Sequence, residues 1–170
     1  MKTIRILCAT LAVVAATTAS AAGIESFVGK SPSRLLKQEQ PFAKAYRAAI
    51  KDQDLPDWTQ RLAVGFPAEK VELGGRTMFL VSACNPTGGC KDERFYLLYE
   101  PADKSLTGFF FLAPNTDAPG DHRMALSRWI GKVPPKERSD FLLQRALQDA
   151  QDPEKDASRL PMASPATPAH

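Results

Sequence analysis

Apolar positions along the chain follow two rhythms. Between residues 69 and 112 they come in strand-length runs separated by turn residues, and on either side they recur at helical spacing. Residues 69–73 (EKVEL) alternate, and Gly74 with Gly75 supplies a two-residue hairpin turn into the run 76–83. A second run covers 93–100. Pro101, Ala102, Asp103 and Lys104 carry turn chemistry, and a further run covers 106–112. Within 95–99 (FYLLY) and 109–112 (FFFL) both parities are apolar, so both faces of these strands must be covered, by helices or by a second subunit.

Upstream, Phe42, Ala45, Tyr46, Ala49 and Ile50 predict a helix over 40–51, with Pro41 in the first turn, where a missing N–H leaves nothing unpaired. Residues 33–37 form a helical or extended lead-in. Leu55, Pro56, Asp57 and Trp58 end the helix, because Pro56 blocks its continuation and Trp58 anchors the next segment. Downstream, a polar loop spans 114–123, and Trp129 with Ile130 either ends a short last strand or stands as an isolated anchor. Pro134 and Pro135 open a second helix over 136–150, with Phe141, Leu142, Leu143, Ala146 and Leu147 on one face. From residue 152 onward Pro153, Pro161, Pro165 and Pro168 sit among small and charged residues, so 152–170 reads as a disordered tail.

The first 22 residues have a different character. Lys2 and Arg5 precede an uncharged apolar stretch at 6–16 and the small residues Ala19, Ser20, Ala21 and Ala22. This is the pattern of a signal peptide, residues 1–22, cleaved after Ala21 or Ala22, with a core too short to span a bilayer. One exported domain, residues 23–151, then carries the fold. The chain has 22 basic and 19 acidic residues, and loss of Lys2 and Arg5 brings it close to neutral. With no basic block interleaved with aromatics and no second apolar span, neither nucleic-acid binding nor membrane insertion is expected.

Export also decides how the three cysteines are read. Cys8 leaves with the signal, and its context (RILC) is not a lipoprotein cleavage box. Cys84 and Cys90 remain, and in an oxidising compartment they are expected to be bridged. They enclose the loop Cys84, Asn85, Pro86, Thr87, Gly88, Gly89, Cys90 between two strand-like runs, a hairpin tip in which Pro86 fixes one angle and the two glycines permit left-handed backbone. Such a disulfide is either a clip on the hairpin, worth about 2 kcal/mol, or the closure of a pre-ordered probe.

Catalytic patterns are weak. Of the two histidines, His170 ends the chain and His122 lies in the polar loop beside Asp121, where a solvated role is expected. No zinc spacing, phosphate loop or serine elbow is present, so no metal, no cofactor and no enzyme activity are expected. Five residues between Cys84 and Cys90 are not the CxxC spacing of a redox thiol, which makes thiol redox chemistry a distant third reading. Lys91, Asp92, Glu93 and Arg94 read as a solvated, mutually paired turn, and Trp58 and Trp129 as core anchors.

LPDW at 55–58, VELGG at 71–75, SAC at 82–84, KDER directly after the second cysteine and LTGFFF at 106–111 together resemble the Ivy family, the inhibitors of vertebrate lysozyme. The resemblance implies a periplasmic α+β protein, often a homodimer. It implies a central antiparallel β-sheet with helices packed against it, and a disulfide-closed hairpin loop that plugs the lysozyme cleft. Strongly inhibiting relatives carry CKPHDC there, with a histidine that meets the catalytic carboxylates. Cys84, Pro86 and Cys90 match that loop, while Asn85 stands at the lysine and Thr87 at the histidine, in a loop one residue longer. The function implied is inhibition or binding of a peptidoglycan-cleaving glycosidase, a c-type lysozyme or a lytic transglycosylase. The alternative is a non-inhibitory envelope adaptor on the same fold.

Overall fold

A computed structural model describes residues 26–87, 90, 93–112, 126–131 and 133–151. The expected signal peptide, the polar loop 114–123 with His122, Gly88, Gly89, Lys91, Asp92 and the expected tail lie outside the described residues.

Two helices lead. α1 (Pro32–Gln38) and α2 (Gln40–Ile50) are parted at Glu39, whose N–H donates to the Leu35 carbonyl at 2.9 Å. Pro41 explains the break, since it has no N–H for the next helical bond and its ring would strike the carbonyl of residue 37. The lead-in is therefore helical, and α2 ends one residue before the expected Lys51. A 3₁₀ turn, Asp57–Gln60, follows. The strands are β1 (Val64–Gly65), β2 (Glu69–Leu73), β3 (Arg76–Cys84), β4 (Glu93–Glu100), β5 (Ser105–Leu112) and β6 (Leu126–Ile130), and α3 (Lys136–Gln151) closes the fold.

All strand pairs are antiparallel, in the order β1-β3-β4-β5-β6. β2 also pairs with β3, opposite residues 76–80, while β1 takes 83–84, so the two short strands share one edge of β3. The β2–β3 turn has positive φ at both Gly74 (56°) and Gly75 (71°), the geometry that favours glycine in tight hairpins. Trp129 and Ile130 lie in β6, opposite Phe109 and Gly108. Gly108 has no room for a side chain, since a Cβ there would sit 2.9 Å from both Ile130 and Phe95.

Alternation along the strands sorts the apolar residues to two faces, and helices cover both. Phe79, Val81, Phe95, Leu97, Tyr99 and Phe110 meet Leu35, Phe42, Tyr46 and Ile50 of α1 and α2. Phe27 stacks into this layer on Phe79 at 4.7 Å. On the other face Met78, Leu80, Tyr96, Leu98, Phe109 and Phe111 meet Leu142 and Ala146 of α3. The need for cover noted in the sequence is thus met within one chain.

Charged pins hold α3 down at both ends. Glu100, its side chain 3% exposed, accepts from Arg76 at 2.8 Å and from Arg138 of α3 at 2.7 Å. At the far end buried Asp149 accepts from Tyr96 Oη at 3.2 Å and from Arg145 at 3.1 Å, and Arg145 also pairs with Glu69. Burial and the Asp149 charge push the Tyr96 phenol up, against the opposing pull of Arg94.

Candidate functional site

The closed loop sits where β3 becomes β4. Cys84 and Cys90 are bridged, with Cα atoms 4.9 Å apart, inside the usual range for a disulfide. Both are buried, while Pro86 and Thr87 are exposed. The base of the loop is therefore part of the core and the tip stands in solvent. Cys84 is flanked on both sides, by Val64 of β1 and Arg94 of β4, so the strand that delivers the loop is not a free edge at that point.

Backbone bonds close the loop a second time. Asn85 N–H donates to the Glu93 carbonyl at 3.0 Å, and Cys90 N–H donates to the Asn85 carbonyl at 3.2 Å. Cys90 has φ of +63°, a left-handed conformation that costs a non-glycine residue about 1 kcal/mol or more and persists only where its surroundings enforce it. The disulfide and the two bonds to its backbone supply that enforcement. One of those bonds comes from Arg94, whose Nε donates to the Cys90 carbonyl at 2.9 Å.

Asn85 is tied by its side chain as well. Its Oδ1 accepts the Thr87 N–H at 2.9 Å, forming a local turn, and its Nδ2 donates to Glu93 Oε2 at 3.1 Å. The same Glu93 oxygen accepts the Trp58 indole N–H at 2.7 Å. Trp58 stands on the 3₁₀ turn and packs on Phe110, with ring centroids 6.3 Å apart. That turn is held from α2, where Tyr46 Oη donates to the Thr59 carbonyl at 2.6 Å, and burial pushes the Tyr46 phenol up.

One sequence expectation is corrected here. Glu93 and Arg94 are not a solvated, mutually paired turn. They open β4, and as neighbours in a strand they point to opposite faces, Glu93 toward Trp58 and Arg94 into the α3 side, where it is 5% exposed. Arg94 Nη1 has no partner among the described residues. Trp58 does pack against the core, as expected, but its N–H also reaches the loop. Of the expected loop residues, Cys84, Asn85, Pro86, Thr87 and Cys90 are brought together as one turn, while Gly88 and Gly89 fall outside the described residues. Trp58, Glu93 and Arg94 were the supporting residues the sequence reading missed. The usable signal was the strand alternation, which places Glu93 and Arg94 on different sides.

Chemically the tip offers a hydroxyl, a proline ring and backbone groups. Among the described residues no cluster of His, Cys, Asp or Glu could hold a metal, and no helix is long and apolar enough to cross a membrane. Bridged thiols neither attack nor ligate, which removes the chemistry that reduced Cys84 and Cys90 would bring. What the described residues provide is an exposed Pro86–Thr87 turn on a buried, bridged base. A family profile described as inhibitor of vertebrate lysozyme (Ivy) matches residues 41–146, a span that runs from α2 into α3 and contains the whole loop. A search of curated proteins returns no match.

Proposed function

The chain belongs to the Ivy family of inhibitors of vertebrate lysozyme, and on that premise we propose that it is an exported inhibitor that inserts the Cys84–Cys90 loop into the cleft of a peptidoglycan-cleaving glycosidase. Membership supports a lysozyme-binding, non-enzymatic role in general. The observation that carries the finer reading is the contrast within the loop: an exposed Pro86–Thr87 tip on a base with buried cysteines and fixed backbone. A tip ordered in advance loses little entropy on docking.

A retaining enzyme of the lysozyme type holds two carboxyl groups about 5 Å apart at the bottom of its cleft. Thr87 would face them with one neutral hydroxyl, worth less than a charged donor. An animal lysozyme fits this chemistry, and the cell's own lytic transglycosylase, which cleaves the same glycosidic bond, is the second candidate target. A periplasmic site of action is part of the proposal and is supported by the signal pattern of residues 1–22. A homodimer is part of the proposal, as an assembly that the resemblance implies, and is read by light scattering.

The test uses the exported protein with its disulfide intact, against cell-wall lysis by an animal lysozyme and by a lytic transglycosylase. Inhibition of at least one is expected. Thr87→Asp should abolish it without moving the melting temperature, since a new carboxylate would oppose those of the target. Failure of the folded parent to bind or inhibit either enzyme overturns the proposal and favours the adaptor role.

A further inference from the structure

The disulfide and two backbone bonds close the loop, but none of them fixes which way its tip faces. The described residues contain a device that does. Asn85, which stands at the lysine position of the family loop, has its Oδ1 taken by the Thr87 N–H, its Nδ2 by Glu93, its N–H by the Glu93 carbonyl and its carbonyl by Cys90. It is an internal strut. Glu93 in turn is oriented by Trp58, whose indole N–H meets the same carboxylate oxygen at 2.7 Å from 35 residues away in sequence. Trp58 is oriented by its packing on Phe110 and by a turn that Tyr46 and the Thr59 hydroxyl both brace, the latter through the Pro56 carbonyl at 2.7 Å.

We propose that Trp58 and Glu93 are positioning residues of the inhibitory loop. They hold Asn85, and Asn85 holds the backbone of Thr87, so that the exposed side chains of Pro86 and Thr87 meet the target in a single geometry. The proposal rests on the reading of this loop as the binding surface. A carboxylate receiving two N–H donors from separate segments is a strong joint, because bonds to a charged acceptor are the more stable kind. The orientation of the tip is then set from outside the loop, by residues that never touch the partner.

A purely structural role, in which Trp58 and Glu93 only fasten the 57–60 turn to the sheet, predicts a different response. The test compares the parent with Glu93→Ala, Glu93→Gln and Trp58→Phe. Gln keeps an acceptor oxygen for both donors, and Phe keeps the packing on Phe110 without the N–H. The first readout is the backbone ¹⁵N order parameter at residues 85 and 87 in the free protein. The second is affinity for whichever glycosidase the parent binds.

Positioning predicts that Thr87 falls from rigid values near 0.85 to below about 0.6 in Glu93→Ala, and falls part of the way in Trp58→Phe. Glu93→Gln should retain the order. Affinity should drop about tenfold or more in Glu93→Ala and be largely kept in Glu93→Gln, with the loss mainly in the association rate if the tip must reorder to dock. An unchanged order parameter at Thr87 in both Glu93→Ala and Trp58→Phe overturns the inference. Should Glu93→Ala fail to fold, Trp58→Phe alone decides. Should the parent bind neither enzyme, the functional reading falls, while the order parameters still support or overturn the positioning role.

Discussion

Reducing the Cys84–Cys90 bridge separates a hairpin clip from the closure of a probe, because the two roles lose different quantities. The bridge closes a loop of seven residues, for which chain entropy predicts a global loss of about 2 kcal/mol. The bonds from Asn85 to Glu93 and from Arg94 to Cys90 do not depend on the sulfur–sulfur bond, so the fold should survive. In urea, with a slope of about 1–3 kcal/mol per molar, the midpoint should fall by roughly 1 M. Cys90, however, is held at φ +63° partly by the bridge. Reduction lets it relax toward ordinary backbone angles and frees the tip. Affinity for the target glycosidase should then fall by about one to two decades, the equivalent of roughly 1.4–3 kcal/mol of lost pre-ordering. The assay is inhibition of cell-wall lysis by the oxidised protein and by the protein held reduced, with the urea midpoint taken on the same samples. A midpoint that falls as expected beside unchanged inhibition refutes the reasoning and leaves the disulfide as a clip.

Three further outcomes are expected. Glu100→Ala removes a buried carboxylate that pairs with Arg76 and with the largely buried Arg138, and should destabilise the domain by about 3–5 kcal/mol in chemical denaturation, whereas breaking an exposed pair such as Lys70–Glu72 should change stability far less. All three tyrosines, Tyr46, Tyr96 and Tyr99, are raised above the ordinary value of 10.0, burial being the first cause in each. A raised folded value means that their stabilisation is complete below pH 10.0 and is lost as pH rises above it, so phenolate absorbance should appear together with loss of circular dichroism rather than before it. Thr87→His places an imidazole, which donates at two nitrogens when protonated, at the exposed tip, and should strengthen lysozyme inhibition by about one to two decades with no change in melting temperature.

Much of this architecture was legible because β-strand patterning is explicit in the sequence. The apolar runs of both parities at 95–99 and 109–112 announced a sheet covered on two faces, and β4 spans the expected 93–100. The sequence could not say whether helices or a second subunit provide the cover, since Leu142 and Ala146 reach the sheet only through the path of the chain after β6. The two-residue β1 was invisible because it carries no periodicity, and it exists through pairing with residues 83–84. The loop residues were legible as a group from the cysteines. Their support was not. A run of four charges of mixed sign suggests a solvated turn until strand geometry turns Glu93 and Arg94 to opposite sides, and nothing local links Trp58 to a carboxylate 35 residues on.

The division of the loop into a braced base and an unburdened tip bears on how such a protein diversifies. Pro86 and Thr87 are exposed, whereas the residues that hold the turn, from Trp58 to Arg94, lie behind them. Substitutions at the tip therefore change what the surface can recognise at almost no cost to folding. Substitutions behind it change how the tip is held. A lineage facing a new cell-wall hydrolase can explore the tip one residue at a time on a scaffold that stays intact at every step.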